Sequence, residues 1–388
     1  MAGGESHART GRALLALCGH RAGEASGLSQ AEWHTLDALA HEHRLRPFLQ
    51  GRLDRGEIAG VPAPIAETWL LAHRSNAIEM LAQRRALAQA KDILASKAIG
   101  CVALKGVALG WTVWPSPAER QMRDIDLLVA QENAGKAYRA LRAAGWDAPE
   151  IDEASLARFA EHETHLPPLV SEEGVQLELH ARAWGRPPLP GSPMPRNDAK
   201  GLLGRARHSE ALQAAIPSPE DMLSHLVVHA ACSHLLNVGP MALIDVDLWC
   251  RRKPIDWPAF WERGARDGFD RPAALVFSLV ERWRDPGFCA AAEPPLAVEP
   301  QMLDEAELLL VQDLNARKDV SVIASLTSRR VGGRIEQHPL DRAATPNSLV
   351  ARTAQLASRA VSLARNIASP QVRRDGIATA RLQRWLEG

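Results

Sequence analysis

Four side chains frame the chemistry this chain could do: Lys105, Asp124, Asp126 and Glu178. The run Asp124-Ile125-Asp126-Leu127-Leu128-Val129 alternates and then turns fully apolar, the pattern of a strand entering a core. On a strand, residues i and i+2 point to the same face, so Asp124 and Asp126 project together. Neighbouring carboxylates repel unless a cation lies between them. Hard carboxylate oxygens suit Mg2+, with Mn2+ as a substitute. Glu178, an acid in the alternating strand Gln176-Leu177-Glu178-Leu179-His180, is placed to complete a two-metal site. In such a site one metal activates the attacking oxygen and the other steadies the leaving group.

Lys105-Gly106 supplies an anion-binding counterpart. It follows the short apolar run Cys101-Val102-Ala103-Leu104 and opens a helical segment reaching about Trp114. A glycine at a strand-to-helix turn lets backbone N–H groups approach a ligand, and the helix N-terminus favours phosphate. Lys105 would sit beside that anion. A lone D-x-D is a weak signal. The weight comes from its company: the Lys-Gly turn upstream, Arg120 between, and a strand acid downstream.

Three stretches carry a family resemblance: Leu104-Lys105-Gly106-Val107-Ala108-Leu109, then Arg120-Gln121-Met122-Arg123-Asp124-Ile125-Asp126-Leu127-Leu128-Val129, then Leu177-Glu178-Leu179-His180. They resemble the bacterial uncharacterised nucleotidyltransferase-like family of the polymerase-β nucleotidyltransferase superfamily. The flanks extend the likeness over roughly residues 30–290, through the helical Trp33–Gln50 stretch and the segment that opens at Ser218-Pro219-Glu220-Asp221. The resemblance implies an α+β fold: a small mixed-sheet, palm-like domain with an N-terminal helical segment and a C-terminal helical domain. It implies Asp124, Asp126 and Glu178 as catalytic metal ligands, and places Lys105, Gly106 and Arg120 in the nucleotide-phosphate region. The activity implied is Mg2+-dependent transfer of an NMP from an NTP, ATP being the expected donor, with pyrophosphate release. The superfamily's usual Gly-Ser pair at the turn is Lys105-Gly106 here, and Arg123 stands where a serine often precedes the first aspartate.

The remaining elements must position these groups. Residues 31–53 and 64–98 read as helices, the second ending near Ile99-Gly100. Residues 131–144 and 152–162 read as helices, and 163–170 and 174–182 as strands, the first an edge strand at best because of Pro167 and Pro168. The Pro/Gly-rich stretch 185–196 reads as a loop. Helices are expected at 218–236, 239–252, 256–268, 271–284 and 303–315, and an amphipathic helix at 347–367. The implied organisation is 1–98 helical, 99–200 nucleotidyltransferase core, 201–328 a helical acceptor-side domain and 329–388 a basic, mostly helical region.

Other signals compete less well. His225 and His229 lie one helical turn apart with His234 following, but the Glu of H-E-x-x-H is missing, so buried or capping roles are favoured. His165 and His180, on strands beside Glu178, could orient a ligand, stabilise phosphate or pack; of the two, His180 has the stronger claim to the nucleotide site. Asp245 and Asp247 repeat D-x-D in a helical setting, where i and i+2 do not share a face.

Composition bounds the reading. With 388 residues, 46% hydrophobic and 24% charged, the chain is globular and long enough for two or three domains. Its formal net charge of zero argues against sequence-blind nucleic-acid binding. The last sixty residues hold eleven Arg against four acids, a local surplus of seven. Five scattered cysteines without a C-x-x-C pair, no signal peptide and no membrane-length apolar run point to a cytoplasmic protein. The acceptor stays open between a small molecule, a peptide and a protein, with nucleic acid less favoured. The alternative is a catalytically silent relative that binds nucleotide or scaffolds a biosynthetic or peptide-tailoring system.

Overall fold

The computed structural model describes residues 2–185, 194–327 and 369–388. Its helical entry comprises α1 (Ala2–Leu17), α2 (Gln30–Glu42), α3 (Arg46–Asp54) and α4 (Ala63–Ser96). Ser29 fixes the start of α2 through a capping box: its side chain accepts from the Glu32 N–H, and the Glu32 carboxylate accepts from the Ser29 N–H. The apolar patch at 13–18 belongs to the end of α1, with Leu14, Leu15 and Leu17 fully buried. Just beyond it the chain presses on Trp283, where the His20 N–H donates to the Trp283 carbonyl at 3.2 Å.

A mixed sheet follows: β1 (Cys101–Ala103), β2 (Asp124–Val129), β3 (Leu169–Val170) and β4 (Gln176–His180), in the order β1-β2-β4-β3. Between β1 and β2 lies α5 (Lys105–Thr112). A crossover through α6 (Ala134–Ala143) and α7 (Glu153–His162) lets β2 and β4 run parallel, while β1 and β3 pair antiparallel to their neighbours. The strand expected at 163–170 shortens to Leu169–Val170, because Pro167 and Pro168 have no N–H for the ladder. His165 keeps one isolated bridge to His180.

The second helical half holds α8 (Ala199–Arg205), α9 (Pro219–Val228), α10 (Met241–Arg252), α11 (Trp257–Asp267), α12 (Asp270–Trp283), α13 (Phe288–Ala292), α14 (Pro300–Leu310), α15 (Arg317–Thr327) and α16 (Pro370–Glu387). A hairpin of β5 (Arg207–Ser209) and β6 (Ala214–Ile216) precedes α9, and the hydropathy pattern gave no sign of it. The helix expected over 218–236 stops at Val228 and continues as a π-helical turn, His229–Ser233. The expected 303–315 helix begins earlier and ends at Leu310. One hydrophobic core runs from Leu14 through the sheet to Leu386, joining both helical halves. Trp249 and Trp283 are buried in it, and Trp257 and Trp261 meet Phe277 edge-on. The amphipathic segment expected at 347–367 lies outside the described residues. Among those described, no helix is long and apolar enough to cross a membrane.

Candidate active site

The parallel register of β2 and β4 sets Asp126 opposite Glu178 and Asp124 opposite Gln176. Asp126 is buried at the centre. Its Oδ1 accepts from Lys105 Nζ at 2.9 Å and pairs with His180 Nε2 at 2.7 Å. With Nε2 as the donor on His180, the buried Nδ1 is left with no partner. Glu178 Oε2 lies 3.5 Å from His165 Nε2 and 3.8 Å from His180 Nε2. Ligand atoms of Asp126, Glu178 and His180 all fall within 4.8 Å of one another. Asp124 stands two residues back on the same face of β2, half-buried, with its carboxylate accepting no hydrogen bond among the described residues.

The electrostatics follow from this crowding. Burial pushes the Asp124 carboxyl above its usual range, and the Asp126 charge pushes the same way. Burial also acts to raise Asp126, but Lys105 and the His180 hydrogen bond outweigh it and hold that carboxyl well below the usual range. Glu178 is raised by burial and by both aspartates, against the pull of His165 and Lys105. Burial opposes the charge on Lys105, yet Asp126 more than compensates and its pKa rises. Burial brings His180 down to about 4, so the ring is neutral near pH 7.

Lys105 is the one ammonium hydrogen-bonded within the cluster of three carboxylates. Asp124 feels the charges of Lys105, Arg44 and Arg120 but accepts no hydrogen bond among the described residues, and neither does Asp126 Oδ2. Hard oxygen donors with free lone pairs, gathered on two adjacent strands, fit a divalent cation of the Mg2+ type. The geometric convergence includes His180 where the sequence placed Asp124; the latter shares the face but lies at the edge of the cluster.

The strand-to-helix turn differs in detail from a glycine-based one. The positive φ falls on Lys105, at 39°, and not on Gly106. A lysine in the left-handed region costs about 1–3 kcal/mol, which the buried pair with Asp126 helps to offset. Gly106 lies in the first turn of α5, and its missing side chain makes room for others. A Cβ there would come within 2.7 Å of Met122 Sδ and 2.8 Å of an Arg120 guanidinium nitrogen.

Arg120 is engaged elsewhere. Its guanidinium forks onto Asp245 through Nε at 2.9 Å and Nη2 at 2.7 Å, and Trp114 Nε1 donates to the same carboxylate at 2.9 Å. Arg120 is 7% exposed and Asp245 4%, so this is a buried pair. The helical D-x-D thus supplies a partner for Arg120, not a second acidic cluster; Asp247 instead pairs with Arg251 and Arg284.

Two features go beyond the sequence reading. The histidines expected to be buried form a file in the helical half: His225 and His229 stack at 6.2 Å, and His229 meets His234 edge-on at 4.4 Å. His225 is buried with neither ring nitrogen bonded by a side chain, and burial pushes it down to about 3 and His234 to about 4, with the Lys105 charge adding to both. The second is Arg44, at the turn between α2 and α3. Its φ is 58°, and burial followed by repulsion from Arg123 brings it down to about 10. Nothing in the local sequence separates Arg44 from neighbouring arginines; its place depends on how the turn meets β2.

Comparison with known proteins matches residues 29–285 to a family described as "Uncharacterised nucleotidyltransferase". No match to a curated protein was found. Among solved structures, the chain is similar to the antibiotic-resistance factor ANT(2'')-Ia, solved in solution and reported to show substrate-regulated conformation dynamics. That likeness has 13% identity, covers 55% of this chain and 96% of the other, and has a TM-score of 0.30, too loose to carry an argument.

Proposed function

The chain belongs to the uncharacterised nucleotidyltransferase family, and from that premise we propose that it transfers an NMP from an NTP, ATP first among the candidates, to an acceptor hydroxyl or comparable nucleophile. The observation that carries this reading is the convergence of acids from two parallel strands, Asp126 opposite Glu178, beside a buried lysine. In such a transfer the acceptor oxygen bonds to the α-phosphorus, the Pα–O bond to the β-phosphate breaks, and pyrophosphate departs.

Asp124, Asp126 and Glu178 would hold Mg2+, with His180 close enough to contribute. When bound, the metal would offset phosphate charge and activate the attacking oxygen. His180 and Lys105 fix the Asp126 carboxylate in one orientation, through two bonds to the same oxygen. Glu178, raised by burial, is the group suited to take the acceptor's proton. Lys105 would stand beside the α-phosphate. Gly106 keeps the start of α5 close to the β2 approach, and Arg120 positions that approach through Asp245.

Pyrophosphate release, read across a panel of small-molecule, peptide and protein acceptors with Mg2+ present, tests the proposal. Asp126→Asn and Glu178→Gln should each lower turnover by at least about a hundredfold, the scale of losing a transition-state group. Full turnover in either variant refutes the assignment. A binding-only reading draws on the Lys105–Asp126 bond, which already places a cation against the central acid. Tight Mg2+-NTP binding with no pyrophosphate release for any acceptor would favour it.

A further inference from the structure

Arg120 is held by Asp245 through Nε and Nη2, which leaves only Nη1, beside the start of α5, for a phosphate. Two other arginines have the whole guanidinium to offer. A cleft of about 840 Å³ opens at the start of β2 and β4, and both Arg44 and Arg123 line it together with Gln121 and Gln176. Arg44 comes from the turn between α2 and α3, and Arg123 directly precedes Asp124. Neither guanidinium makes a hydrogen bond, ion pair or ring contact among the described residues, although Arg44 is half-buried. The acids in the same wall have other contacts: Glu42 accepts from Asn315 at 3.2 Å through Oε1, with Oε2 left unbonded, Glu79 accepts from Ser75 at 3.2 Å, and Glu173 lies 3.5 Å from Arg85. Around Arg44, the Asp124 charge is favourable while those of Arg123 and Arg120 are unfavourable, so the cations outnumber the acid and an anion held between the two guanidinium groups would relieve their repulsion.

We propose that Arg44 and Arg123 bind the β- and γ-phosphates of the nucleotide, so that the helical entry supplies half of the triphosphate subsite. This rests on the nucleotidyl-transfer reading above. The pair lies on the Asp124 side of the acid cluster, where a triphosphate tail would extend away from the β2–β4 carboxylates. Planar guanidinium forks match phosphate oxygens two at a time. Their capture of the tail would also hold pyrophosphate as it leaves.

The test is calorimetric titration of the full chain with Mg2+-pyrophosphate, with the Mg2+ complexes of non-hydrolysable NTP analogues, and with the matching NMP. Arg44→Gln and Arg123→Gln should each weaken pyrophosphate and analogue binding about tenfold or more, and leave NMP binding within about twofold. Unchanged pyrophosphate affinity in both variants overturns the proposal, as does an equal loss for NMP. If wild type binds no NTP analogue, the transfer reading itself fails. If Asp126→Asn loses analogue binding while the arginine variants keep it, only the arginine assignment fails. Phosphoserine that binds alongside a bound analogue and is lost in Arg44→Gln would assign the pair to a phosphorylated acceptor, and overturn it too. Ligand-free thermal midpoints guard against a folding artefact. Removing an unpaired, half-buried charge should leave the Arg44→Gln midpoint at or above wild type, with the nucleotide-induced rise reduced. A lowered midpoint with the full nucleotide-induced rise would give Arg44 a structural role instead.

Discussion

Asp126 shows how much of the site a single residue can reveal. Its spacing from Asp124 on an apolar-alternating strand was legible in the sequence, because strand periodicity dictates which side chains share a face. Its partners were not legible: the sequence set Lys105 beside a phosphate and His180 near Glu178, and only the fold brings both onto one oxygen of Asp126. Arg44 was not legible at all, since its role depends on a turn and a strand about eighty residues apart meeting in space. Buried histidines give a prediction at this scale. His43, whose Nε2 lies 3.2 Å from the Gln312 carbonyl, is pushed by burial down to about 4 from an ordinary 6.5. His234 is shifted to about 4 and His225 to about 3. A depressed folded-state pKa means the unfolded chain takes up protons first as pH falls. Stability held above pH 6.5 should therefore drain away toward pH 4. Urea midpoints measured from pH 7.5 to 4.5 should fall across that window, and His43→Gln should flatten the slope. A midpoint independent of pH would contradict the burial account.

At the scale of elements, the strongly periodic segments were read from sequence nearly to their ends, β2 and α4 among them. Misses came where local pattern was weak or overridden. The β5–β6 hairpin has an exposed first strand with no alternation, and the π-helical turn at His229–Ser233 interrupts a run that reads as continuous helix. The Arg120–Asp245 pair is the most consequential link between elements, because it ties the approach to β2 onto α10. Breaking a buried ion pair strands the remaining charge. Asp245→Asn should lower stability by about 3–5 kcal/mol in denaturant unfolding, and loosen the β2 approach enough to weaken nucleotide binding. A loss below about 1 kcal/mol would place that pair among the weak, solvent-screened ones.

Across the whole molecule, one continuous core makes the helical entry and the second helical half parts of the same packing unit. Gly19 marks the join: a Cβ there would come within 1.6 Å of the Trp283 carbonyl oxygen, a backbone atom that cannot step aside alone. Gly19→Ala should therefore destabilise by about 1–3 kcal/mol and weaken the docking of α1, read as a lower thermal midpoint and faster hydrogen exchange in α1. An unchanged midpoint would mean that the entry helix moves freely on the core. Zero net charge conceals an uneven spread, since residues 329–388 carry a surplus of seven positive charges and the rest of the chain an equal deficit. The proposed metal-binding acids sit in the negative part. The central claim is that these acids bind a divalent metal together with a nucleotide. Titration with Mn2+, followed by electron paramagnetic resonance with and without a non-hydrolysable NTP analogue, tests it most directly. The account predicts saturable Mn2+ binding that tightens with the analogue and is lost in Asp126→Asn; binding in that variant equal to wild type would contradict it.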